Sequence, residues 1–199
     1  MTRNLVMMLT VASIPALSNA SSNEARHLTI RVMDYVDLPV ATVEELETTA
    51  QRILRGAGVA VDFVECHGQG AKSGSEPCSG LLGRTDVVLR ILEPKFAVKG
   101  EQLGYSAMGS EGGAYVTVFV NPAEQKARVS SLTNGTFLGH AVAHEIGHLL
   151  LGANSHAPAG IMRPVWRAVD EEWMVKGALA FDRGQAARMQ TALEALRAR

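Results

Sequence analysis

Apolar positions along the chain follow two periods. From His27 to Val36, Leu28, Ile30 and Val32 alternate with Thr29, Arg31 and Met33, which predicts a strand. From Val43 the period lengthens. Val43, Leu46, Ala50, Ile53 and Leu54 recur at helical spacing, with Thr42 and Glu45 placed as a capping box and Gly56 and Gly58 as the stop. Val59 to Val64 predicts a second strand. Asp86 to Leu92 is nearly all apolar and predicts a central third strand. After an irregular link at 94–103 come a short strand, Leu103 to Met108, and a turn at Gly109, Gly112 and Gly113. Ala114 to Val120 predicts a strand closed by Asn121-Pro122. A long helix runs from Thr133 to Leu151 and stops at Gly152. A loop with Pro158, Gly160 and Pro164 follows. Asp182, with Gln185, caps a last helix whose buried stripe is Ala186, Met189, Leu193 and Leu196. This order predicts one α/β (α+β) domain without internal repeats.

The N-terminus has a different pattern. Arg3 precedes an apolar run from Leu5 to Leu17, and Leu17-Ser18-Asn19-Ala20 ends with small residues at the −3 and −1 positions of a cut. Residues 1–20 therefore read as a secretory signal peptide, with the domain at 21–199. The run is shorter than the ~20 residues a membrane span needs, and no other segment approaches that length, so no span is expected in the mature chain. The protein is expected to be exported, either secreted or periplasmic. Export makes the compartment oxidising, so Cys66 and Cys78, the two cysteines of the chain, are expected to close the Gly/Ser-rich loop between them. Loss of Arg3 moves the formal charge from −1 to −2, which gives no electrostatic footprint for nucleic acid.

The chemistry lies in the long helix. His144-Glu145-Ile146-Gly147-His148 is an H-E-x-x-H motif. Its two imidazoles, four residues apart, fall on one helix face and can share one zinc ion. Glu145 is placed to act as general base on water at that metal. With 6 His and 14 Glu in 199 residues, roughly 0.01 such matches are expected by chance.

The stretch from His144 through Gly152 to His156, followed by Gly160-Ile161-Met162, resembles the metzincin clan of zinc peptidases. The resemblance implies a twisted mixed sheet with an antiparallel edge strand, Leu103 to Met108, above an active-site helix. It also implies a third ligand after the helix, a Met-turn at Met162, and a peptide lying along the edge strand. The spacing departs from the clan pattern. Gly152 comes four residues after His148 and His156 four after Gly152, each one more than usual, and Asn154 stands where the usual count puts the third ligand. His156 is the expected ligand, because imidazole binds zinc far better than an amide does. Asn154 and a distant Glu are the alternatives. Pro164 stands where some metzincins place a Tyr.

His140 is expected to pack or to support the ligands from behind, because a catalytic site keeps one position open. Trp166 and Trp173 are expected as packing aromatics, and Asp170-Glu171-Glu172 as a solvated charge run. It would supply a ligand only in a gluzincin-type peptidase with a downstream Glu. His27 and His67 have no assigned role. The expected function is an exported zinc-dependent endopeptidase acting on peptide or protein substrates, with one Zn2+ held by His144, His148 and His156. The alternative is a non-catalytic exported zinc- or peptide-binding protein.

Overall fold

The computed structural model describes residues 26–71, 76–93, 103–109, 113–121, 123 and 132–198. The expected signal peptide, most of the link at 94–103, Gly112 and Pro122 lie outside the described residues. The elements are β1 (His27–Asp34), α1 (Val40–Gly56), β2 (Ala60–His67), α2 (Glu76–Ser79), β3 (Asp86–Leu92), β4 (Gly104–Met108), β5 (Ala114–Phe119), α3 (Asn134–Leu151), α4 (Ala168–Val175) and α5 (Arg183–Arg197). The strands form one sheet in the order β2-β1-β3-β5-β4. The first four are parallel, and β4 joins β5 antiparallel at the edge. The expected mixed α+β architecture and edge strand are present. Among the described residues, no helix is long and apolar enough to cross a membrane.

Alternation along each strand selects the inner face. Register aligns Val32, Leu89, Val116 and Ser106 in one row across four strands. A neighbouring row is Asp34, Ile91, Val118 and Gly104. The apolar members of both rows are buried, with α1 and α3 packed against each other and against the sheet. Each row reaches β4 at a small residue, which leaves room for α3 beneath the edge strand.

α3 is apolar nearly all round and buries thirteen of its residues, from Gly135 to Leu150. Such a helix needs neighbours on every side. It meets α1 at two glycines one turn apart. A Cβ on Gly139 would lie 2.6 Å from Leu46 O and 2.6 Å from Thr49 Cβ; one on Gly135 would lie 2.7 Å from Thr42 O. The helix backbones therefore touch.

Several expectations are corrected. α1 begins at Val40 with Pro39 as N-cap, not at Thr42. Pro39 O takes the Thr42 and Val43 amides at 2.8 and 3.2 Å, which puts Thr42 inside the first turn. Glu45 does not close a box on its own helix. It accepts from Thr133 Oγ1 at 2.6 Å and Thr136 Oγ1 at 2.8 Å, tying α1 to the start of α3. β1 ends at Asp34, because its carboxylate takes the Val36 and Leu38 amides and turns the chain. The region after Gly160, expected as loop, contains α4. Its Asp170 is buried against Arg163 (3.3 Å) and the Arg167 amide (2.9 Å), so it does not belong to a solvated run. Trp173 is 51% exposed and is not a packing aromatic. The Asp182–Gln185 capping box on α5 and the Cys66–Cys78 disulfide, which joins β2 to α2, form as expected.

Two measurements of stability follow. Gly139→Ala gains helix propensity of ~1 kcal/mol but drives a methyl into backbone, so a net loss of about 1–3 kcal/mol is expected in denaturant melts. An unchanged midpoint would contradict backbone contact. Burial, with the charges of Glu65 and Glu44, lifts Glu47 to about 7 from 4.5. A raised carboxyl favours its protonated form in the fold. Its contribution is complete below the unfolded value and is lost as pH rises through the folded one. Glu47→Gln should therefore stabilise the chain near pH 8, by about 1–2 kcal/mol after allowance for partial exposure, and have little effect near pH 4. An equal effect at both would count against burial as the cause.

Candidate metal centre

His144 and His148 leave α3 on one face, as their spacing predicts. The helix ends where the Gly152 amide bonds His148 O at 2.9 Å with Gly152 at φ 97°, a conformation that suits glycine. The chain then doubles back. His148 Nε2 lies 3.0 Å from His144 Nε2 and 3.1 Å from His156 Nε2. The candidate ligand atoms of the three residues all lie within 4.8 Å of one another. Two nitrogens bound at ~2.0–2.1 Å to one tetrahedral centre would be roughly 3.3 Å apart, so the spacing fits a single ion. The longer loop brings His156 to the cluster, while Asn154 is exposed. Among the described residues, the metal-capable group contains no downstream carboxylate.

The other ring nitrogens explain why the His144 and His148 lone pairs face the cluster. His144 Nδ1 donates to Ile161 O at 2.7 Å. His148 Nδ1 lies 3.0 Å from Ser155 Oγ and 3.5 Å from Gly152 O. A proton held at Nδ1 leaves Nε2 as a lone pair. Burial is the main reason His144 is pushed down to about 4 from 6.5, opposed by its bond to Ile161 and helped by His148 and His156. His148 is also lowered, again chiefly by burial. Both rings are therefore neutral at neutral pH, the form that binds metal. Several imidazole lone pairs facing each other repel unless a cation lies between them. The cluster can therefore hold a metal ion. Burial falls from His144 through His148 to His156, which is exposed, so the cluster opens to solvent on the His156 side.

Glu145 sits beside the cluster under the edge strand. Gly104 in β4 has no side chain, and a Cβ there would lie 3.2 Å from Glu145 Cγ and 2.4 Å from Thr117 O. Ser106 shares the inner face of β4 and its hydroxyl bonds the Glu145 carboxylate. Burial lifts Glu145 to about 7 from 4.5, and the Ser106 bond opposes the rise.

Below the histidines, Gly160 (φ 78°) opens a tight turn closed by the Arg163 amide on Gly160 O at 3.1 Å. It buries Met162 against the helix, where a Cβ on Gly147 would lie 2.5 Å from Met162 Sδ. Ile161 O in the same turn accepts from both His144 Nδ1 and Trp166 Nε1 (3.0 Å). Trp166 is buried, edge-on to Phe137, His140 and His144. His140 packs on Trp166 and bonds Thr136 O at 2.8 Å, with no bond to the three-histidine cluster. His27 pairs with Asp62, and His67 stacks on Tyr35, both away from the cluster. Sequence reasoning missed Gly104, Ser106, Ser155 and the Ile161 carbonyl. Alternation in β4 could have placed Gly104 and Ser106 on one face. The Ile161 and Ser155 contacts had no signal, because they depend on where the loop returns.

In comparisons with known proteins, no family model matches the chain and no curated protein matches it.

Calorimetric titration with Zn2+ separates the candidate ligands. His156→Ala should lose tight stoichiometric binding, and Asn154→Ala should retain it. The reverse pattern would remove His156 from the centre.

Proposed function

We propose that the chain is an exported zinc-dependent endopeptidase of metzincin type. The observation that carries this reading is the convergence of three imidazole Nε2 atoms beside a buried Glu145, which shares α3 with two of them. A borderline-soft, redox-inert ion suited to nitrogen donors in tetrahedral geometry fits this donor set, which favours zinc. His144, His148 and His156 would hold it, and their donor set leaves a fourth position for water or a substrate carbonyl. When bound, zinc supplies a positive charge that polarises a carbonyl and makes water a stronger acid.

The protein residues supply the proton traffic. Glu145, lifted toward neutrality, takes a proton from the attacking water and passes it to the departing amine. A carboxyl tuned near the working pH can do both. Ser106 fixes the carboxylate from above, and Gly104 lets the edge strand sit close enough for that. β4 has β5 on one side, and its other edge can pair with an extended peptide, holding the scissile bond along the cleft. Met162 forms a floor under the helix, seated tightly against Gly147. Export by residues 1–20 and an oxidising compartment agree with the Cys66–Cys78 bridge.

Glu145→Ala tests the reading. It should keep zinc but lose about 100-fold or more of the cleavage rate on an unfolded protein substrate, since general-base catalysis contributes 10²–10⁴. Equal cleavage by both forms would remove Glu145 from the chemistry. Zinc binding with no cleavage by either form would favour a non-catalytic zinc- or peptide-binding protein.

A further inference from the structure

We infer that Ser155 is a positioning residue for the metal centre, fixing the proton and ring orientation of His148. The inference rests on the metal-binding reading of the three histidines. His148 lies between the other two, with its Nε2 facing both at 3.0 and 3.1 Å. It can offer a lone pair there only if its proton sits on Nδ1. A proton on Nδ1 needs an acceptor. Gly152 O lies at 3.5 Å, at the limit of a hydrogen bond, whereas Ser155 Oγ lies at 3.0 Å. The serine oxygen therefore accepts the ring proton, and its own hydroxyl proton points elsewhere.

Ser155 immediately precedes His156. One short segment thus performs two tasks: its backbone delivers the third imidazole, and its side chain sets the tautomer of the second. The equivalent partner of His144 is the Ile161 carbonyl at 2.7 Å, a main-chain group that substitution cannot remove. The residues between α3 and His156 are Gly152, Ala153, Asn154 and Ser155, a longer connection than the metzincin pattern has. Ser155 is half-buried and oriented inward, while Ala153 and Asn154 are exposed. The extra length is thus accompanied by a polar contact to the centre from within the connection itself.

A partner at the far nitrogen makes a ligating imidazole more basic and restricts its rotation. Loss of such a partner typically costs 10–100-fold in metal affinity. A neutral hydroxyl acceptor is weaker than a carboxylate, so the expected loss lies at the lower end.

The experiment compares wild type, Ser155→Ala, Ser155→Thr and Asn154→Ala. Zn2+ affinity is measured by competition with a chromophoric chelator, metal-free stability by thermal melting, and the His148 tautomer by nitrogen NMR of the metal-free chain. Ser155→Ala should bind Zn2+ about tenfold more weakly and show His148 shifting from the Nδ1–H form toward a mixture. Ser155→Thr should restore affinity to within about threefold, and Asn154→Ala should match wild type. Metal-free melting should be the same in all four. Ser155→Ala binding within about twofold of wild type would overturn the proposal. So would a weaker affinity that tracks a lower metal-free midpoint and is not rescued by threonine, since Ser155 would then only support the loop. Wild type that binds no Zn2+ would overturn the metal reading and this proposal together.

Discussion

The close approach of helix α3 to three neighbours is the constraint on which the rest depends. Each approach is made where a side chain is missing. Gly135 and Gly139 admit the backbone of α1, Gly147 admits the sulfur of Met162, and Gly104 of the edge strand admits Glu145. A helix held this closely on three sides has little freedom to rotate or slide. Two histidines four residues apart then point in one fixed direction, and the edge strand lies at a fixed height above the glutamate between them. Close packing of this kind fixes direction more firmly than hydrogen bonds at a surface could.

The electrostatics follow from the burial that the packing produces. Taking His144 out of water makes its neutral form the stable one, and the same burial pushes Glu145 toward its protonated form. The polar groups left at the site are satisfied from outside the helix. Ile161 O serves His144 and Trp166 together, Ser155 serves His148, and Ser106 serves Glu145. All three partners belong to the turn, the loop or the edge strand. Helix α3 supplies two of the three imidazoles and the carboxylate, and its surroundings set their protonation.

This division explains what was legible in the sequence. Features carried by local spacing were read correctly: the strand alternation, the H-E-x-x-H face, and the Asp182–Gln185 box on α5. His156 could be placed at the cluster on donor chemistry and motif resemblance together, despite the irregular spacing. Features that depend on distant partners were not legible. Thr42 and Glu45 have the right spacing for a capping box, yet Pro39 starts the helix earlier and Glu45 bonds threonines at the start of α3 instead. Helix α4 was missed because only Asp170 and Met174 of its eight residues are buried, too few to impose a period. Trp166 and Trp173 look alike in sequence. One is the buried neighbour of His144, and the other lies on the exposed side of α4. The role of the glycines of α3 depends on the elements packed against them.

The central claim is that His144, His148 and His156 bind one zinc ion through Nε2. X-ray absorption at the zinc edge, on the chain loaded with one equivalent of Zn2+, tests it most directly. The account predicts three imidazole nitrogens at about 2.0–2.1 Å, with one further light-atom ligand. The imidazole count should drop to two in His156→Ala. A wild-type spectrum with two or fewer imidazoles, or one unchanged by loss of His156, would contradict it.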